Sequence, residues 1–183
     1  MEKLKLIRII TIKDVPIYMH WSLTLVWLVG ILGSFNNVSF LLGAASFFGI
    51  MLLHELGHMW FATKRGLATE SIELYLFHGL CHHEAGKFDY DNYIVAWGGV
   101  VAQIIVSIPA IAIFSIFGSD LQWYINTPLI FFGYFSLIIV FLNLLPKEYF
   151  DGFYCWRALP LYFKYRNKLK SSNKKRNHLK SVK

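Results

Sequence analysis

Four long apolar stretches constrain this chain more than any other feature of its sequence. They run approximately Ile17–Ser34, Ser39–Thr63, Tyr93–Gly118 and Thr127–Leu145. A helix needs about 20 mostly apolar residues to cross the hydrocarbon core of a bilayer. Four spans with short connections therefore use up most of the 183 residues. Only His20 titrates within the first stretch, and the fourth carries no charge. Tyr18, Trp21, Trp60, Tyr93, Trp97, Trp123 and Tyr124 gather near the ends, where aromatic rings sit at the headgroup level. Only 16% of the residues are charged, against about 25% in ordinary soluble domains, which excludes a disordered chain and argues against a water-soluble enzyme. The expected fold is an all-α polytopic membrane protein with about four transmembrane helices, forming one integral-membrane domain over residues 1–163.

The cations give this arrangement a direction. The net charge is +7, from 18 Lys+Arg against 11 Asp+Glu. Nine cations lie in the basic tail, residues 164–183, and the others flank the apolar runs. The connections near Phe35–Val38 and Ser119–Trp123 contain no Lys or Arg. All 18 cations thus fall on one side, which the positive-inside rule makes cytoplasmic, with both termini. Such a pattern suits anionic lipid and topology better than a nucleic-acid groove, so the bilayer is an expected partner and nucleic acid is not. Cys81 and Cys155 supply no disulfide framework, and with no signal peptide followed by a soluble chain a secreted reading fails.

The longest connection, Lys64 to Asn92, carries a strand signal. Ser71-Ile72-Glu73-Leu74-Tyr75-Leu76-Phe77 is rich in β-favouring residues with partial alternation, and His78-Gly79 supplies a turn. A short β-hairpin-like element at the cytoplasmic surface is expected.

The chemistry lies in His54-Glu55-Leu56-Gly57-His58, inside the second apolar run. On a helix, residues i and i+4 share a face, so both imidazoles can bind one metal ion. Glu55, beside the first ligand, can reach a metal-bound water as general base. Ionisable groups at membrane depth are costly and mark function more often than packing. Zinc needs a third protein ligand, and Asp151 is the best candidate. It follows the fourth run, on the side where the second run also ends, in Asn143-Leu144-Leu145-Pro146-Lys147-Glu148-Tyr149-Phe150-Asp151-Gly152. Pro146 and Gly152 interrupt regular helix there, which is tolerable where the chain lines a polar cavity.

HELGH in one span with N-x-x-P-x-x-x-x-D-G after a later one resembles the site-2 protease family of intramembrane zinc metalloproteases. The chain looks most like the compact branch that includes the bacterial sporulation-factor-processing protease. The resemblance covers approximately residues 40–160. It implies one Zn²⁺ per chain held by His54, His58 and Asp151, Glu55 as catalytic acid/base, and a prokaryotic plasma or inner membrane. It also implies a transmembrane protein substrate cut within or beside its span, and leaves room for a regulatory membrane partner. Trp97-Gly98-Gly99-Val100-Val101-Ala102-Gln103 looks like the family's A-G-P-x-x-N segment, with Val100 for Pro and Gln103 for Asn. Asn143 and Gln103 are substrate-binding candidates on this basis, each with a helix–helix polar contact as the alternative. Gly98 and Gly99 suit close helix packing.

Cys81-His82-His83-Glu84 reads as a solvated loop, because adjacent strand residues point to opposite faces and cannot share one ion. The Ile72–Phe77 strand is expected to pair with an extended substrate segment by β-augmentation. Two rivals to the protease remain: a non-catalytic member of the same fold that binds membrane helices, and a metal transporter, although no internal symmetry is visible.

Overall fold

The computed structural model describes residues 6–148 and 150–164. The basic tail beyond Lys164 lies outside the described residues, as do Lys3, Lys5 and Tyr149. Three helices are long and apolar enough to cross a membrane: α2 (Ser39–Lys64), α3 (Asp89–Phe117) and α4 (Trp123–Asn143). The exposed faces of α3 and α4 carry Ile105, Ile108, Ile116, Ile138 and Phe141, which is what lipid contact requires and water would penalise.

The first apolar run departs from expectation. Its first residues belong to strand β2 (Val15–His20), which follows β1 (Leu6–Ile12). After a 3₁₀ turn, Trp21–Leu23, only α1 (Thr24–Ser34) remains, 11 residues long. At 1.5 Å per residue α1 rises about 16 Å, roughly half of the hydrocarbon thickness. The expected four spans are therefore three long helices and one short one. The run's apolar character is the same in a strand as in a helix; what decides is pairing. Val15, Ile17, Ile72 and Leu74 pack with Leu23, Met51 and Met59 of the helices into one core cluster, and Ile17, Ile72 and Leu74 are fully buried.

The expected hairpin is β3 (Thr69–Leu74) and β4 (Gly79–His83), antiparallel, with Leu74 opposite Gly79. It belongs to a larger sheet of order β1-β2-β3-β4, in which β2 and β3 run parallel. The β1–β2 turn places Ile12 opposite Val15, with Lys13 and Asp14 both at positive φ (48° and 67°). That is the backbone of a type I′ turn, made here without the Asn-Gly pair that usually advertises one. Because β3 has a neighbour on each side, it has no free edge for a substrate strand; the expected pairing along Ile72–Phe77 is not available, and β4 holds the free edge on the hairpin side.

Helix α2 ends in a Schellman motif. Leu67 N–H donates to Ala62 C=O (3.0 Å) and Gly66 N–H to Thr63 C=O (3.0 Å). Gly66 sits at φ +72°, where glycine avoids the Cβ penalty. The turn sends the chain straight into β3, laying the sheet on the same end of α2 that carries HELGH. Arg65 then ties to Asp91 at the start of α3, with Nε–Oδ1 at 2.9 Å.

Candidate metal centre

On α2, His54 and His58 lie one turn apart and, with Glu55, are buried (7%, 7% and 3% exposed). Helix α3 crosses α2 so closely that Gly57 and Gly98 meet backbone to backbone, and a Cβ at either would overlap the other's carbonyl. Gly99, the next residue, lies against the His54 ring, which a methyl there would strike. The close packing expected of Gly98 and Gly99 is thus present, and it is what lets α3 supply partners to both imidazoles.

Those partners set the orientation of the rings. His58 Nδ1 donates to the Val95 carbonyl (2.9 Å), and His54 Nδ1 donates to Gln103 Oε1 (3.0 Å). With both Nδ1 atoms engaged as donors, each Nε2 keeps its lone pair, the tautomer a metal ligand needs. The two Nε2 atoms lie 3.0 Å apart. Asp151 Oδ2 closes the triangle at 2.8 Å from His54 Nε2 and 3.4 Å from His58 Nε2. Tetrahedral zinc with ligands near 2.05 Å separates its donor atoms by about 3.3 Å. The three atoms present fit that ion, and they are the one such group among the described residues.

Asp151 reaches the histidines by a route the sequence only hinted at. Helix α4 ends at Asn143, residues 144–148 and residue 150 form turns and bends, and a last helix begins at residue 151. That helix is clamped by two indoles: Trp156 Nε1 donates to Leu144 C=O (2.7 Å) and Trp97 Nε1 donates to Cys155 C=O (3.1 Å). Gly152 allows the helix to press on the Leu144 carbonyl. Burial alone would raise the Asp151 carboxyl; the positive charge of the His58 and His54 rings in their protonated form holds it well below the usual carboxylate range.

The remaining candidates fall differently. Asn143 Nδ2 comes to 3.5 Å from His54 Nε2, at the edge of the donor triangle. Gln103 is fully buried and its amide oxygen is committed to His54, which puts it behind the ligand ring rather than on an open face. Glu55 is covered by Gly79, the first residue of β4, whose Cα lies against the carboxylate. Val95, Gly79, Trp97 and Trp156 were not anticipated as site residues. Nothing local marks a backbone carbonyl or a strand glycine as a neighbour of a helix 20 or more residues away in sequence. The Cys81–Glu84 segment forms no metal group; His82 instead approaches Glu73 (3.5 Å).

Known proteins share part of this sequence and its fold. The family model of peptidase family M50 matches residues 42–104, which hold His54, Glu55, His58 and Gln103 but not Asp151. Among solved structures, the site-2 protease from Methanocaldococcus jannaschii superposes with a TM-score of 0.69 at 24% identity, over 84% of this chain and 71% of that one. The likeness establishes a shared fold. None of the curated proteins compared with the chain matches it.

Proposed function

We propose that the chain is an intramembrane zinc metalloprotease of the site-2 protease family, allied to its compact sporulation-factor-processing branch. Its substrate is a membrane protein, cut at a peptide bond within or beside a transmembrane segment. The observation that carries this reading is the meeting of His54 and Asp151, 97 residues apart in sequence, at 2.8 Å beside His58 on the face that also bears Glu55. A structural packing role for two histidines does not call for a carboxylate brought in from a separate helix.

His54, His58 and Asp151 hold the metal, with Gln103 and the Val95 carbonyl fixing the two rings. Bound there, zinc would supply Lewis acidity and would lower the pKa of the attacking water. Glu55 accepts the proton of the attacking water and returns it to the leaving amine. The buried, apolar surroundings strengthen both the charge interactions and the proton transfer. The HELGH end of α2 faces the cytoplasm with both termini on that side, a reading that the cation distribution supports.

A helical substrate must unwind before its carbonyl can approach Glu55. Strand β4 can receive the unwound segment. Tyr75 N–H donates to His78 C=O across the hairpin (2.9 Å), so antiparallel alternation turns the N–H groups of Gly79 and Cys81 toward the free edge. A substrate strand paired there passes directly over Glu55. Proline is tolerated on an edge strand whose N–H faces outward, so Cys81→Pro should keep the sheet while weakening substrate capture. Wild-type cleavage by that variant would move the substrate path elsewhere.

The main test is Glu55→Gln, co-expressed with candidate single-span proteins. Zinc content should persist, since Glu55 is not a ligand, while turnover falls by the 10²–10⁴-fold typical of a lost general base. A helix-binding adaptor would be indifferent to the change, and a transporter would show altered metal flux. Cleavage at the wild-type rate would rule out the mechanism.

A further inference from the structure

Deeper in the membrane than the metal centre, three polar groups are enclosed with no protein partner: Gln103 Nε2, Ser107 Oγ and Ser136 Oγ, all on residues with no exposed surface. Neither hydroxyl makes the bond to the carbonyl one turn back that a helical serine often uses. An unpaired polar group in an apolar medium is expensive, and in a bilayer no bulk water relieves it. Three together point to a ligand.

Helix geometry brings them to one place. Gln103 and Ser107 are one turn apart on α3, on the face that continues to Ile111 and Phe114. That face meets α4: the Phe114 and Tyr134 rings lie 5.9 Å apart, and a Cβ at Gly133 would come 2.9 Å from Ile111. The helices run antiparallel, so one turn back along α3 from Ile111 corresponds to one turn forward along α4 from Gly133. Ser107 thus falls level with Ser136. Gln103, one turn further along α3, and Asn143, about two turns further along α4, both reach His54. The α4 backbone is a π-turn over Phe131–Phe135, immediately before Ser136. Such a turn displaces the following side chains from the regular helical face, and insertions of this kind concentrate at functional sites.

We propose that Ser107, Ser136 and Gln103 enclose an ordered water site behind the metal centre. The water accepts from Gln103 Nε2 and is shared by the two hydroxyls, and buried waters ordinarily satisfy about three such groups. By occupying the amide nitrogen, it holds Gln103 with its oxygen toward His54 and so preserves the Nδ1–H tautomer of that ring. The serines are positioning residues acting through Gln103 at a distance from any substrate. This inference rests on the reading that His54 ligates zinc.

The test uses the full-length protein in detergent or nanodiscs, with Ser107→Ala, Ser136→Ala, the double variant and Gln103→Met. Each serine change removes one oxygen and adds nothing, so packing is preserved. Zinc affinity, read by chelator competition, should weaken about tenfold for each serine variant, the low end of what losing an outer partner of a metal ligand costs. In the Gln103→Met background the serine changes should have no further effect, since the amide they act through is gone; a merely structural role would give the same loss in both backgrounds. In metal-free protein, the melting-temperature shifts of the two serine variants should be non-additive, because both disrupt one water. Additive shifts, or wild-type zinc affinity in the serine variants, would overturn the water site. Unchanged zinc content in His58→Ala would instead overturn the ligand set, and the metal-free cycle would still decide whether the serines share a site.

Discussion

Gly79→Ala separates the placement of Glu55 from every other property of the site. The new methyl would overlap the Glu55 carboxylate, with Cβ only 2.6 Å from Glu55 Cγ. Carbon atoms at their best separation stand about 3.5–4.0 Å apart, so one group must move by roughly 1 Å. Gly79 is held in the sheet opposite Leu74, whereas Glu55 is the end of a flexible side chain, and it is Glu55 that yields. The cost to folding should be small, toward or below the lower end of the about 1–3 kcal/mol for core overpacking. The cost to catalysis should be large: a 1 Å misplacement of a reacting group can lose about 10²-fold, equivalent to about 2.7 kcal/mol in the barrier. The assay measures single-turnover cleavage of a co-purified substrate alongside zinc content and melting temperature. Zinc and stability should stay near wild type while cleavage falls. Cleavage at the wild-type rate would mean that β4 does not fix Glu55, and a matching fall in zinc content would mean that the methyl acts on the ligands instead.

Asp151→Ala should lower bound zinc in purified protein, as should His58→Ala; full zinc occupancy in the aspartate variant would identify a different third ligand. Thiol chemistry bears on topology. Burial pushes the Cys81 and Cys155 thiols up to about 12, above the ordinary range, so the thiolate needed for alkylation is scarce at neutral pH and grows about tenfold per unit as pH rises toward that value. Both native cysteines should therefore resist maleimide at pH 7 in intact protein, and rapid modification there would show the sheet and the last helix to be open. Cysteines introduced at Phe77 and Phe35, 90% and 82% exposed, should label from opposite sides of the membrane, the first from the cytoplasm. Labelling of both from one side would break the proposed topology, and labelling from exchanged sides would invert it.

The sequence by itself determined the membrane environment and the pairing of two histidines on one helix face. Long apolar runs admit few structures in lipid, because backbone polar groups there must be satisfied within the chain. The one-sided cations supply the expected direction of those runs, and the i, i+4 spacing of His54 and His58 places them on one face of any helix. Asp151 was legible only in combination with HELGH, because the expected topology puts both on one side. The tertiary structure decided what depends on contacts between distant segments. Ile17–His20 is as apolar as a span, and only pairing with Leu6–Ile12 and Ile72–Leu74 makes it a strand. The β1–β2 turn was hidden because Lys13-Asp14 takes positive φ without the residues that usually do. Gln103 read equally as a substrate contact or a helix–helix polar contact in one dimension; the glycine-to-glycine crossing at Gly57 and Gly98 brings its amide oxygen to His54. Gly79 gained its place over Glu55 in the same way, because a strand's neighbours are chosen by the fold and leave no mark in the residues beside it.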